Sequence, residues 1–501
     1  MVGAVSLPWL VALARVAAVA APSDTGAGSS FDETMVRGLA RELAQKPYRG
    51  PDDTLPDTLK DLSYDRYRTI RFRPDKSLWR GDKLQFEAQF FHRGFLFTNR
   101  VDIFQVVDGR AHRTPYSPSQ FSFEGDVPPP DTDVGFAGFR LHGPINRRDY
   151  YDEITVFLGA SYFRAVAKGQ IYGLSARGLS IKTAEASGEE FPAFRSFWIE
   201  RPKRRQNFVV VHALLDSESA SAAYRFTIRG GPTTVHDVEM MLFPRVDLAQ
   251  AGIATLTSMF FFAANDRGRI DDFRPAVHDS DGLEIRTGSG EQLWRPLANP
   301  QDLQVSSFAD TNPRGFGLMQ RQRDFRSYQD LEANYEKRPS AWIEPIGEWG
   351  DGEVRLVEIP TKSEIHDNIV VFWRPHEPLR AKDEHRFSYR IHWGYGVPKP
   401  GPLATFTATR VGAGSENRRL FVLDAAGPAL KSLKASDSVR GEVSADKGKI
   451  EHVVTQPNPH TGGWRLSFEL ATEKAPAIEL RAQFLRDDKP LSEVWTYRWT
   501  P

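Results

Sequence analysis

The chain has 501 residues, too many for one ordinary hydrophobic core, so two domains are expected. Lys+Arg and Asp+Glu both number 65, so the net charge is zero and no basic footprint for nucleic acid is present. Cysteine is absent, which excludes a thiol nucleophile, a disulfide framework and any Cys-ligated metal.

Val2–Ala21 is mostly apolar and ends in Ala18-Val19-Ala20, a small-residue pattern suited to signal peptidase, so residues 1–20 are expected to be a signal peptide. The alternative is a short N-terminal helix, because no Lys or Arg precedes the apolar run and Arg15 interrupts it. No other stretch approaches membrane-span length, and a soluble mature protein is expected.

Ser23–Ser30 reads as a polar tail. Phe31–Gln45 has helical spacing, with Met35, Leu39 and Leu43 on one face, and Pro47 and Gly50 end it. Leu55–Leu62 is a second short helix candidate. From Arg68 the pattern turns to period two. Strands are expected at Thr69–Phe72, Leu84–Phe91, Asn99–Val107, Ile154–Phe163, Phe208–Leu214, Ala222–Arg229, Thr234–Leu242 and Leu256–Phe262, separated by Gly, Pro, Asp and Asn turns. Sustained βαβ alternation is lacking, so the fold class is all-β, with a large β-sandwich over 31–396.

Residues 263–314 are loop-rich, with short strands at Gly282–Thr287 and Leu293–Pro296; further strands follow at Val354–Ile359, Asn368–Arg374 and His385–Trp393. Gly394–Pro402 packs three glycines and three prolines into nine residues, and a linker is placed at 397–402. Seven strand candidates follow in 403–501, a spacing that fits a small immunoglobulin-like sandwich without its usual cysteine pair.

The segment from Gly315 to Trp373 mixes charged and amide groups with large aromatics. A carbohydrate site needs both, since a ring covers the apolar C–H face of a sugar and polar groups take its hydroxyls. A buried ion-pair network closing a β core accounts for these residue types equally well. Three constellations stand out. Glu364-Ile365-His366-Asp367-Asn368 precedes an apolar strand, so a carboxyl there can act as a general acid with a raised pKa, or simply start a turn. His278-Asp279-Ser280-Asp281-Gly282 offers a general base or a turn; it lacks the third acid and closing Glu of a calcium loop, so no metal is assigned. Gln320-Arg321-Gln322-Arg323-Asp324 puts two arginines on one side of a strand, to clamp a polymer or hold carboxylates. No Gly-x-Ser-x-Gly elbow, His-Glu-x-x-His pair or phosphate loop is present, and no cofactor is implied. Carboxylate chemistry is what these exclusions leave, with glycoside hydrolysis as its main form.

The chain resembles the bacterial periplasmic glucan biosynthesis proteins of the OpgG/OpgD (MdoG/MdoD) type. The matching stretches are LGASYFRAVAKGQIYGLSARGLSIKTA at Leu158–Ala184, EEFPAFRSFWIERP at Glu189–Pro202, FRPAVHDSDGL at Phe273–Leu283, the run from Gly315 to Thr361, and EIHDNIVVFWRP from Glu364. The His366-Asp367-Asn368 form places it nearer the OpgD side. The resemblance implies a periplasmic protein of osmoregulated glucan synthesis that acts on β-1,2-glucan as an inverting endo-glucanase. It assigns the general acid to Asp367 and the base to Asp279, the latter reaching the attacking water through other waters. Glu364 and Arg323 are expected to tune or hold the acid, Tyr335 to contact sugar, and Trp342, Trp349 and Trp373 to form the cleft wall or core. The rival reading is a factor that binds nascent glucan and presents it to the inner-membrane synthase; a transglycosylase is a third. No Arg-Arg pair precedes the apolar leader, which departs from the twin-arginine export common on the OpgD side.

Overall fold

The computed structural model describes residues 28–268 and 270–501, so the signal peptide expected at 1–20 lies outside the described residues. Two large sheets face each other across one core. The first has sixteen strands; its centre runs Ala193–Glu200, Val209–Asp216, Ala220–Arg229, Thr234–Pro244, His385–Gly394, Ser340–Ile346, Gly315–Met319, Gly282–Arg286 and Gln292–Pro296. The second has ten, with Gln304–Thr311, Asp351–Glu358, Ile369–Pro375, Ala251–Ser258, Ser175–Arg177, Tyr162–Ala165 and Asp152–Leu158 in order. Apolar side chains from the two inner faces, among them Phe157, Phe226, Ile253, Leu256, Val371 and Trp373, fill the space between. The architecture is all-β, and the period-two reading had this origin: one face of each strand is buried.

The expected first helix is Glu33–Ala44, capped by Asp32, whose carboxylate accepts from the amides of Thr34 and Met35. Its most buried residues are Val36 and Ala40, with Met35, Leu39 and Leu43 flanking them, so the inward face is rotated from the sequence reading. It covers the outer face of the first sheet beside Phe104, Trp198 and Phe243. The second helix shrinks to Asp57–Lys60, since Pro56 fixes its start. The strand expected over 154–163 is two strands, Asp152–Leu158 and Tyr162–Ala165, because Gly159 and Ala160 turn the chain at positive φ.

Near the C-terminus, Thr405–Ala413, Arg419–Ala426, Gly463–Ala471 and Lys449–Asn458 form a four-stranded sheet. It packs on Arg440–Ala445, Ile478–Arg486 and Val494–Trp499 through a second core containing Phe406, Phe421, Phe468, Leu480 and Trp495. These last three strands extend the sixteen-stranded sheet, because Leu293 and Trp294 pair in parallel with Val494 and Trp495.

Candidate active site

The site is built around the end of one strand. Ala251–Ser258 is buried along its whole length and pairs with Ile369–Pro375, Ser258 facing Ile369. Just beyond it, Phe260–Phe262 pairs with Val277–His278. Two loops are therefore tied to the same few residues from opposite sides. The Met259 carbonyl accepts the Asp279 amide at 2.8 Å. The Phe260 amide donates to Asn368 Oδ1 at 2.8 Å, and Asn368 Nδ2 donates to the Ile359 carbonyl at 3.0 Å. The Ser258 and Ser280 hydroxyls meet at 2.8 Å. Asn368 thus does the anchoring that a turn requires, and the neighbouring Asp367 carboxylate makes no hydrogen bond or ion pair to any described residue.

The two carboxyls differ in setting. Asp279 is only 4% exposed, and its Oδ1 receives Arg338 Nη1 at 2.5 Å. Burial pushes its pKa up to about 6; the Arg338 charge opposes this, and the charge of Asp367 adds to it. Asp367 has an open surface but lies in a recess of the protein, where desolvation raises its pKa against the pull of Arg164, Arg177 and Arg338. Since Asp367 acts on Asp279 and both feel Arg164 and Arg338, they share one electrostatic site. Two carboxyls with raised proton affinity in a common recess are suited to divided acid and base roles.

Arg338 is held in place by its surroundings. Its guanidinium lies 4.4 Å from the centre of the Tyr335 ring, and Nε donates to the Ala333 carbonyl at 3.3 Å. Gly173 makes room for its stem: a Cβ there would stand 2.9 Å from Arg338 Cβ. Arg323 touches neither aspartate. It donates to the Glu336 carbonyl at 3.1 Å, to the Arg338 carbonyl and to Ser340 Oγ at 3.1 Å, so it props the segment that carries Arg338. Tyr335 is buried and donates to Glu364 Oε2 at 3.1 Å; Arg274 Nη1 reaches the same oxygen at 2.8 Å.

The tryptophans do not line the recess. Trp373 is fully buried in the main core near Trp349, and Trp342 belongs to the second core. Both fill space left by glycines: a Cβ on Gly352 would be 2.4 Å from the Trp373 ring, and one on Gly315 would be 2.2 Å from that of Trp342. Asp281, in the same loop as Asp279, accepts the amides of Arg321 and Gln322 at 3.0 and 3.2 Å and so organises backbone. Among the described residues no cluster of three or more His, Asp or Glu is arranged to hold a metal.

Sequence reasoning missed Arg338 and the group from the opposite wall: Tyr162, Arg164, Arg177 and Glu189. Tyr162 and Arg164 alternate on the short Tyr162–Ala165 strand and therefore share a face, a signal the period-two pattern carries. Arg177 pairs with Glu189 at 2.5 Å and lies 4.9 Å from the Tyr162 ring centre and 5.5 Å from that of Phe191. A recess of about 350 Å³ beside them is lined by Leu96, Phe97, Tyr162 and Arg164, among others.

A family model described as "Periplasmic glucan biosynthesis protein, MdoG" matches residues 31–499. The chain is 61% identical to a "Glucans biosynthesis protein G" of Rhodopseudomonas palustris, over 100% of this chain and 99% of the relative. It is 59% identical to the protein of that name from Bradyrhizobium diazoefficiens, over 98% of each chain. The Vibrio cholerae protein of the same name is 51% identical over 94% of this chain and 87% of its own. These relatives carry the G name, which corrects the placement nearer the D side: three residues, His366-Asp367-Asn368, are too short a stretch to separate two branches sharing the same loop.

Proposed function

The chain belongs to the periplasmic glucan biosynthesis family, and from that premise we propose that it cuts β-1,2-glucan with inversion in the recess holding Asp367 and Asp279. It is a periplasmic protein of glucan biosynthesis. No described helix is long and apolar enough to cross a membrane. The observation that carries the proposal is a pair of carboxyls in one recess, both with raised pKa but differently exposed: Asp367 is open and unbonded, while Asp279 is buried against Arg338 at the end of the same strand. In this reading Asp367 protonates the leaving glycosidic oxygen, and Asp279 accepts a proton from the attacking water. Because Asp279 is enclosed, that proton passes along intervening waters. Tyr335 and Arg274 hold Glu364 three residues before the acid, and Arg323 supports the segment bearing Arg338. The glucan-handling unit is 31–396, and 403–501 forms a second sandwich whose core also takes in Trp294, Met319 and Trp342; this division is part of the proposal and is supported by the second core being built mainly from 403–501.

One observation favours a second reading, in which the protein binds nascent glucan and hands it to the inner-membrane synthase without cutting it. The enclosure of Asp279 and its close pairing with Arg338 suit a structural carboxylate as well as a base. Incubation with linear β-1,2-glucan, following reducing ends and the anomer formed, separates the two. Release of α-anomer oligosaccharides by wild type, lost in Asp367→Asn, supports the inverting hydrolase. Glucan binding without cleavage by folded wild type favours the assembly role.

A further inference from the structure

Beside the acid loop, Arg274 ties together three loops far apart in sequence. Its guanidinium reaches Asp272 Oδ2, Asp330 Oδ2 and Glu364 Oε2, each at 2.8 Å. Asp330 Oδ1 in turn accepts the amides of Glu332 and Ala333 at 2.9 and 2.7 Å, and Asp272 Oδ1 accepts the Arg274 amide at 2.9 Å. Each loop is thereby stiffened and fixed to the others. Each also presents one large apolar side chain next to its hub residue: Phe273 at 82% exposure, Leu331 at 84% and Ile365 at 81%. These are the three most exposed large apolar side chains among the described residues. Scattered exposed apolar groups are ordinary, but here each of the three extremes directly follows a residue held by one guanidinium.

The chemistry around them narrows the occupant. Three carboxylates surround one arginine, so the hub is net acidic and repels an anionic headgroup or an acidic partner. Glu364 Oε1 takes no partner among the described residues, and the side chain is 35% exposed, so it is placed to accept a hydroxyl. Apolar contacts beside a free hydroxyl acceptor match the alternating C–H and O–H surface of a sugar. Ile365 lies between Glu364 and Asp367, so the surface is continuous with the recess of the acid.

We propose that Phe273, Leu331 and Ile365 form a pre-ordered brim that receives glucosyl units of the glucan beyond the acid, with the Phe273 ring as the platform and Glu364 Oε1 as hydroxyl acceptor. This rests on the glucan reading of the site and adds to it residues that the fold does not otherwise use. Pre-ordering matters because the loops are already immobilised and binding need not order them.

The test is the Kd for linear β-1,2-glucan oligosaccharides, measured in an Asp367→Asn background so that no cutting occurs. Phe273→Ala/Leu331→Ala/Ile365→Ala is expected to weaken binding about tenfold, Phe273→Ala alone accounting for most of it, with Tm unchanged because all three side chains are exposed. An unchanged Kd overturns the proposal, including the case where the triple variant instead dissolves a self-associated species in sedimentation. If the background protein binds no glucan at all, the glucan reading of the site falls and the brim with it. If it binds but wild type does not cut, only the hydrolase reading is lost, and the brim stands on its tenfold effect.

Discussion

Two charge clusters, one around Arg321 and one at the recess, have opposite characters. At the join between the two cores, Arg321 donates to the Phe406 carbonyl at 2.9 Å, to Glu493 at 2.5 and 3.0 Å and to Glu284 at 3.0 Å. Its guanidinium also lies 3.5 Å from the Trp294 ring centre. There the oxygens of Glu284 and Glu493 all have donors, and of the carboxylate oxygens beside them only Asp281 Oδ1 is buried without a partner among the described residues. The cluster at the recess is left more open: Arg338 satisfies Asp279, yet Asp367 has no partner among the described residues, and Glu364 keeps one oxygen free. Saturated buried charge holds a fold together, whereas charge left short of partners is available to a ligand. This contrast supports the proposal that places function at the Asp367–Asp279–Arg338 group and leaves Arg321 to the fold, though residue types alone would rank them alike.

The contrast is sharpest where its halves are broken separately. Arg321→Ala leaves Glu493 buried without its cation, and Glu284 with Arg286 alone at 3.4 Å, and is expected to cost about 3–5 kcal/mol of stability. Thermal unfolding should show a large fall in Tm; an unchanged Tm would dissolve the distinction. Asp367→Asn should do the reverse, keeping Tm while lowering turnover of β-1,2-glucan by about a hundred- to ten-thousandfold, as removal of a general acid does. A smaller effect is expected for Asp279. Its pKa is raised from 3.8 unfolded to about 6 folded, so the native state binds the proton more tightly and stability falls as pH rises through that window. The group costs about 2–3 kcal/mol above pH 6 and nothing below pH 3.8. Asp279→Asn should therefore be more stable relative to wild type at pH 7.5 than at pH 4, which paired melts at the two pH values would read. The smallest change is expected from Arg338→Gln. Losing the guanidinium raises the Asp279 pKa further, so the acidic limb of the pH–rate profile should move up by about one unit. A profile that keeps its position would mean Asp279 is not the base it reports.

Much of this was legible in the chain. Alternation gave the all-β class because the inner face of each strand is sealed, and the seven short C-terminal strands kept their pattern for the same reason. Asp367 stood out before an apolar strand and Asp279 beside a second acid and a glycine, although residue types alone left turn and catalytic readings open. What could not be read was which distant segments meet. Thr234–Pro244 pairs with His385–Gly394, and Arg164 and Arg177 come to Asp367 from strands that lie well upstream. Nor does aromatic content tell which face of a strand a ring occupies. Trp342 and Trp373 sit in a segment rich in polar groups, yet both turn inward over glycines.

The tie between Arg321 and Glu493 spans 172 residues, and the Val494–Trp499 strand that follows Glu493 joins Gln292–Pro296 to Ile478–Arg486 within the first sheet. A chain leaves the ribosome from its N-terminus, so Arg321 and Gln292–Pro296 emerge well before their mates. Gln292–Pro296 keeps one open edge until Val494–Trp499 arrives. Closure of the join between the two cores therefore waits on the tail of the polypeptide, and a ribosome that stalls short of Glu493 leaves a body with its strands laid down and its keystone missing.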